Sequence, residues 1–235
     1  MTRLVAALVP AITLVFACTP APAQPPGATP QAVVPEGSPA TPSPSAPPPV
    51  IAAQAHAVVG HAAPDFSLSA ADGTAFRLAD HKGKLVVLEW FNPGCPFVKY
   101  AHGEGPLKDM AAVETAKEVV WVAINSGGAG KQGAGVEASL EGAKGFGMTH
   151  PVLIDEAGAV GRAYGAEKTP HVYLIDTAGV LVYAGAIDNA PIGEVDGSGA
   201  YVNHLGLALA DARAGRPVAN PQTKAYGCSV KYAKG

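Results

Sequence analysis

The sequence has few cysteines, no clustered charge of one sign, and no phosphate-binding glycine loop. Three cysteines in 235 residues are too few for a fold held together by disulfides. The 16 lysine and arginine residues nearly balance the 19 aspartate and glutamate residues, without runs of like charge, which argues against binding nucleic acid by charge. The glycines of segment 127–131 lack the spacing and the Ser/Thr of a P-loop. Each cysteine therefore needs its own explanation.

The first 23 residues have the pattern of an export signal. Arg3 precedes a mostly apolar stretch, 4–17, which is shorter than the roughly 20 helical residues that span a bilayer. The sequence offers two alternative sites at which the signal could be cleaved. Segment 15–18 is similar to a lipobox, in which Cys18 would carry lipid and attach the protein to a membrane, whereas 21–23 offers a small-x-small cleavage site. We expect an exported protein, periplasmic or otherwise outside the cytoplasmic membrane.

The next segment, 24–55, is rich in proline and alanine. Twelve of the chain's 22 prolines lie between Pro20 and Val50. Such a segment favours extended conformations and cannot bury enough apolar surface to fold. We therefore expect a disordered linker over 24–55, followed by a single folded domain over 56–235 with an extended C-terminal tail.

Apolar runs alternate with helical stretches along this domain. Continuous apolar runs predict buried strands, and a turn at Asp72-Gly73 predicts an N-terminal hairpin. A mixed α/β fold is expected, with helices packed on the sheet. The predicted strands are 63–68, 75–78, 85–88 leading into 90–91, 119–124, 151–154, 172–175 and 180–183, and the predicted helices are 108–117, 136–144, 160–164 and 201–213.

The chemistry concentrates around Cys95. A buried strand ends at Phe91, a turn follows, and Cys95 stands at the expected first turn of a helix, with Pro96 suited to the first helical position. Unpaired N–H groups and the helix dipole at that place stabilise a thiolate, which is the reactive form of cysteine. We expect an accessible nucleophile, although a buried structural cysteine stays open as the alternative.

Two motifs resemble a known family. Segment 92–99 reads Asn-x-x-Cys-Pro-Phe-Val-Lys, and segment 227–232 reads Gly-Cys-Ser-Val-Lys-Tyr. From about Gly60 to Tyr232 the chain resembles the thioredoxin-like superfamily, in particular its peroxiredoxin-like redoxins. The resemblance implies a thioredoxin-like fold, in which a central mixed sheet is flanked by helices, and a thiol-dependent oxidoreductase.

The same resemblance implies roles for individual residues. Cys95 corresponds to the attacking cysteine. Thr169-Pro170 corresponds to a cis-proline turn that packs beside this cysteine and offers backbone to an extended substrate, with an ordinary trans proline that opens a strand as the alternative. Glu89 corresponds to a buried acid that moves protons. We expect burial to raise the pKa of Glu89, with an edge position facing water as the open alternative.

Two positions depart from the family patterns. Val98 stands where thioredoxins carry a second cysteine, so a local Cys-x-x-Cys pair cannot form. Asn92 stands where peroxiredoxins carry Thr or Ser, and its amide is a candidate hydrogen-bond donor to a peroxide. The tail is long enough to bring Cys228 to Cys95. Cys228 is therefore expected to resolve the intermediate, with a static structural disulfide as the alternative.

The expected protein is a peroxiredoxin-like thiol oxidoreductase without a bound cofactor. Its substrate is a hydroperoxide or a disulfide, and an external dithiol reductant supplies electrons. Exchange with protein disulfides, or a non-catalytic module that binds a partner or a metal through Cys95 and His171, stays open. No metal is expected, because the seven histidines show no ligand-spaced pair.

Overall fold

The computed structural model describes residues 56–195, 197 and 199–234. The predicted export signal with Cys18 and the predicted linker 24–55 lie outside these residues. Within the described part of the chain, no helix has the length and apolar character needed to cross a membrane.

A seven-stranded mixed sheet forms the centre of the fold. Its order is β2-β1-β5-β4-β3-β7-β8. The N-terminal hairpin and the β7–β8 hairpin predicted from the turn signals are both present and antiparallel. The strands are β1 (Ser67–Ala70), β2 (Ala75–Arg77), β3 (Val86–Trp90), β4 (Val120–Asn125), β5 (Val152–Ile154), β7 (His171–Ile175) and β8 (Leu181–Gly185).

The continuous apolar runs become the central strands because both faces of the sheet are covered. β3 pairs parallel with β4 and antiparallel with β7. Leu88 and Trp90 pack into the core on one face, and Val87 lies in the core on the other. A strand in this position needs apolar residues at successive places, which explains its uninterrupted hydrophobic sequence.

In the part of the chain that the structure describes, five α-helices flank the sheet, four of them close to their predicted ranges. The helix expected at 201–213 begins only at His204, since the Asn203 side chain accepts a hydrogen bond from the backbone N–H of Gly206 and caps the helix there. The helices are α1 (Pro96–Gly103), α2 (Leu107–Thr115), α3 (Gly135–Gly145), α4 (Ala159–Tyr164) and α5 (His204–Arg213).

The C-terminal tail returns to the body of the fold through a second, two-stranded sheet. β6 (Lys168–Thr169) pairs antiparallel with β9 (Cys228–Ser229), so that Thr169 lies opposite Cys228. The peptide bond between Thr169 and Pro170 is cis. The tail is thereby paired with the backbone beside the cis-proline.

Candidate active site

Cys95 caps the N-terminus of α1, as predicted, and Pro96 is the first helical residue. Asn92 shapes the turn between β3 and this helix. Its side-chain oxygen accepts a hydrogen bond from Gly94 N–H at 2.8 Å, and its amide donates to the Gln132 carbonyl at 2.9 Å. The side chain of Asn92 is therefore committed to the turn that presents Cys95.

Cys95 is not accessible in the way the sequence led us to expect. Only 3% of the residue is exposed. Its thiol donates a hydrogen bond to the Thr169 carbonyl at 3.0 Å. Cys95 belongs to a small buried apolar cluster, and Cys228 packs against that cluster. The expectation of an exposed sulfur was wrong because the paired tail covers it.

The structure brings Cys95 and Cys228 together as two free thiols. Cys228 packs against the buried cluster that contains Cys95, and it pairs with Thr169, whose carbonyl accepts the hydrogen bond of the Cys95 thiol. The close approach depends on Gly227, whose φ is +112°, a value that L side chains rarely adopt. A Cβ atom at this position would overlap the carbonyl oxygen of Thr169. Gly227 is thus the residue that allows the tail backbone to lie against β6.

Their surroundings shift the pKa values of the two thiols in opposite directions. Burial alone would raise the pKa of Cys95. Hydrogen-bond donors to its thiolate outweigh burial and lower the pKa. These donors are the Cys228 thiol, the Thr169 side chain, and the backbone N–H groups of Val98 and Cys228. Among the described residues the Thr169 hydroxyl is buried without a hydrogen-bond partner, so its proton is available to a Cys95 thiolate. Burial, and then the neighbouring Cys95, raise the pKa of Cys228 to about 11. Near neutral pH, Cys95 is the thiol that ionises first.

Contacts on both sides of Cys228 hold the tail in place. Before it, the Tyr226 hydroxyl donates to Asp188 at 2.6 Å. After it, the Tyr232 hydroxyl donates to the Ala166 carbonyl at 2.7 Å, and the Arg162 guanidinium stacks over the Tyr232 ring. The Cys228 sulfur is therefore presented by a segment that is fixed at both ends.

A buried ion pair lies behind the cysteines. Glu89 is fully buried, and one of its carboxylate oxygens lies 2.7 Å from Nε2 of His102, which is 4% exposed. The Trp121 indole N–H donates to the other carboxylate oxygen at 3.4 Å. The alternative of an edge position facing water was therefore wrong for Glu89.

The expected rise in the pKa of Glu89 was also wrong. Burial pushes its pKa up, but the charge and hydrogen bond of His102 prevail and lower it. Burial likewise disfavours the charged His102, yet Glu89 raises the pKa of this histidine. Sequence reasoning missed His102. The available signal was its place seven residues after Cys95, two turns along the same helix face.

Replacing Glu89 with glutamine should destabilise the fold by about 3–5 kcal/mol, because it leaves a buried histidine without its counter-charge. The pKa of Glu89 lies below its ordinary 4.5, so its contribution is lost as pH falls through that lower value. The pKa of His102 lies above its ordinary 6.5, so its contribution is lost as pH rises through that higher value. The loss should be largest between pH 4.5 and 6.5.

Urea denaturation of both proteins across pH measures this loss. Glu114→Gln is the matched control, because the partners of Glu114, Lys117 and Arg213, are 50% and 40% exposed. The control should lose no more than about 1 kcal/mol. A Glu89→Gln loss that is as small as the control's and independent of pH would contradict the importance of the pair.

The part of the chain that the structure describes contains no cluster of metal-ligating side chains. No group of three or more His, Cys, Asp or Glu side chains there is arranged to hold an ion. Nδ1 of His171, the histidine beside the cis-proline, is 3.2 Å from the Tyr173 hydroxyl, and burial lowers the pKa of His171 to about 4.

The mixed sheet, the helix that begins at Cys95 and the cis-proline beside it place the domain in the thioredoxin-like class, as the resemblance implied. The sequence model of the Redoxin family matches residues 58–201. The chain therefore belongs to the Redoxin family.

Two curated relatives are similar to this chain over 122 residues, 52% of its length. The thiol-disulfide oxidoreductase ResA of Geobacillus thermodenitrificans and the thioredoxin-like protein YneN of Bacillus subtilis are each 34% identical there. The match spans 65% of the length of the first relative and 68% of the second.

Solved structures match over more of the chain. An uncharacterized conserved protein from Geobacillus kaustophilus is 32% identical, with a TM-score of 0.67, and the match covers 80% of this chain and 98% of that one. A hypothetical protein from Sinorhizobium meliloti is 29% identical, with a TM-score of 0.66, and the match covers 76% and 96%. These likenesses confirm the predicted thioredoxin-like fold.

Proposed function

We propose that this protein is a thiol–disulfide oxidoreductase whose redox centre is the pair Cys95 and Cys228. The observation that carries the proposal is the β6–β9 register, which sets Cys228 opposite Thr169, the residue whose carbonyl accepts the hydrogen bond of the Cys95 thiol. The similarity to a relative named as a thiol-disulfide oxidoreductase supports the same reaction class. The sulfurs carry the electrons, so the proposal needs no bound cofactor.

The acidities of the two thiols support an order of events. The Cys95 thiolate attacks one sulfur of a substrate disulfide, and the other substrate sulfur leaves as a thiolate. The Cys228 thiol then gives its proton to that leaving group and attacks the Cys95 sulfur, which releases the second substrate thiolate. The substrate is reduced by two electrons and the pair becomes a Cys95–Cys228 disulfide. An external dithiol reductant restores both thiols.

A hydroperoxide is the second candidate oxidant, and the burial of Cys95 favours it. Since only 3% of Cys95 is exposed, a small molecule needs less opening of the tail than a protein does. The thiolate would attack the terminal oxygen of the hydroperoxide and break the O–O bond, which leaves a sulfenic acid and expels an alkoxide or hydroxide that takes a proton from solvent. The Cys228 thiol would then attack the Cys95 sulfur and release water. Stopped-flow consumption of hydrogen peroxide by the reduced protein separates the two candidates.

Trapping the intermediate tests the proposed roles. Intact mass is measured after the reduced protein meets a stoichiometric disulfide or hydrogen peroxide. We expect the wild type to lose two hydrogens, and Cys228→Ser to keep a mixed disulfide or sulfenic acid on Cys95 because no thiol resolves it. If Cys228→Ser turns over at the wild-type rate, the resolving role is wrong. If neither protein is modified and no exchange occurs, a non-catalytic module is favoured.

We also propose that the domain over 56–235 works outside the cytoplasmic membrane, tethered by segment 24–55 when Cys18 carries lipid. The apolar stretch after Arg3 and the lipobox-like segment 15–18 support this setting. The mass of the mature protein from a bacterial host tests it. A lipid adduct on Cys18 that Cys18→Ala abolishes is expected, whereas an unmodified chain that begins after residue 23 would contradict the anchor.

A further inference from the structure

A cavity of about 450 Å³ lies beside the cysteine pair. Its wall includes Lys168 and Gly227, the chain neighbours of Thr169 and Cys228. Ala186, Pro191 and Ala225 add an apolar part to the wall. The volume is that of sites that hold small organic molecules.

Positive charge gathers at this cavity. Lys168 and Lys224 line it and supply this charge. A separate polar feature of the wall is His204, whose Nδ1 is buried without a hydrogen-bond partner among the described residues. The positive charges of Lys231, which lies outside the wall, and of Lys168 oppose the rise in the pKa of the Cys228 thiol that burial and Cys95 cause. A buried polar atom without a partner is rare in folded proteins and points to a missing polar group.

Among the described residues of the wall, Asp188 is the one that carries a carboxylate, and this group is already engaged. Asp188 is 2% exposed and accepts hydrogen bonds from the hydroxyls of Tyr226 and Tyr201 and from the backbone N–H of Ala190. The two lysines outnumber this carboxylate, so the cavity favours a negative charge on a ligand.

In the oxidised pair, the sulfur of Cys228, which is next to the cavity, is also a better target for an attacking thiolate than the sulfur of Cys95. Cys228 is half-buried, whereas Cys95 is almost fully buried. The pKa of Cys95 is the lower of the two. Thiol–disulfide exchange is faster when the departing sulfur has the lower pKa. An incoming thiolate is therefore expected to attack Cys228 and to release Cys95.

We propose that this cavity binds a small dithiol that carries a carboxylate, with the acid near Lys168 and Lys224 and the apolar chain against Ala186 and Ala225. The proposal rests on the redox role proposed above and names the class of the reductant. One thiolate of the dithiol attacks Cys228, and Cys95 leaves as a thiolate. The second thiol then attacks the first sulfur of the dithiol, which releases Cys228. The dithiol loses two electrons and becomes a cyclic disulfide, and its two protons end on the protein thiols or in solvent.

The test compares dihydrolipoate with dihydrolipoamide, two dithiols that differ in having a carboxylate or an amide. Each reduces the oxidised full-length protein, and the ratio of the two second-order rate constants is measured at low salt. We expect dihydrolipoate to be faster by about five- to tenfold, and the ratio to fall toward one in high salt. The double variant Lys168→Gln/Lys224→Gln should also bring the ratio near one. Lys82→Gln/Lys144→Gln, which removes two exposed lysines that do not line the cavity, should keep it.

Octanoate, which has the acid and no sulfur, gives a readout that needs no redox chemistry. Added to the reduced protein, it should shift the NMR signals of Ala186 and Ala225, and octanamide should not. A wild-type ratio near one, or a ratio unchanged in the Lys168/Lys224 variant, would overturn the proposal while leaving the redox function intact. If neither dithiol reduces the pair while dithiothreitol does, the proposed class of reductant is wrong and the redox function stands. If dithiothreitol also leaves the pair oxidised, the redox function fails with it.

Discussion

Replacing Cys95 with serine is expected to reduce disulfide exchange by at least about 1,000-fold, because a serine hydroxyl stays protonated at neutral pH and cannot act as the nucleophile. The environment that lowers the pKa of Cys95 acts on a thiol and cannot bring an alcohol into range. Turnover of a fluorescent disulfide substrate with an excess of dithiol measures the loss.

The Cys228→Ser protein is the matched control for this substitution. It keeps Cys95 and should still form one mixed disulfide per molecule, although it should not turn over. Circular dichroism should show the same fold for both variants, since each substitution replaces only one sulfur atom by oxygen. If Cys228→Ser cannot form the mixed disulfide and Cys95→Ser can, the assignment of the nucleophile is reversed.

Replacing Gly227 with alanine is expected to slow formation of the Cys95–Cys228 disulfide by about 100-fold. The new Cβ would overlap the Thr169 carbonyl oxygen, and the φ of +112° disfavours a side chain. The tail must then move away from β6, and the two sulfurs lose the proximity that makes their reaction effectively unimolecular. Alkylation of Cys95 by iodoacetamide should become faster at the same time, because the tail no longer covers it. Mass spectrometry of quenched samples follows both reactions.

Gly215→Ala separates steric overlap from backbone strain. Gly215 has a positive φ of +66°, but no atom lies within 4 Å of the place that a Cβ would occupy there. This substitution should cost about 1 kcal/mol of stability and leave both reactions near their wild-type rates. Equal slowing in Gly215→Ala and Gly227→Ala would mean that strain in the chain, and not the close approach to Thr169, controls the pair.

Much of the fold could be predicted from local patterns. Unbroken apolar runs identified β3 and β4 because strands covered on both faces need them, and the Asp72-Gly73 turn identified the first hairpin. The start of α5 was missed because the helix-like pattern extends back to residue 201, whereas the cap by the Asn203 side chain makes the helix begin at His204. Side-chain capping chooses between two plausible helix starts, and the pattern alone does not.

The site was predictable only where chemistry is local in sequence. The turn and helix start make Cys95 conspicuous, and the motif at Gly227 pointed to Cys228. The burial of Cys95 depends on the β6–β9 register, which no local pattern reports. The pairing of Glu89 with His102 likewise arises because a strand and a helix face each other, and this contact reverses the expected direction of the Glu89 pKa shift.

The sulfurs that meet in this domain stand about 130 residues apart in the chain. Two thiols in a Cys-x-x-Cys motif remain neighbours even in a denatured chain, but the concentration of Cys228 around Cys95 falls steeply once the intervening loop is free. Rapid two-electron chemistry is then a property of intact molecules alone. An unfolded copy of the chain would hold two separate thiols and would not cycle, so redox turnover would report that the domain is folded.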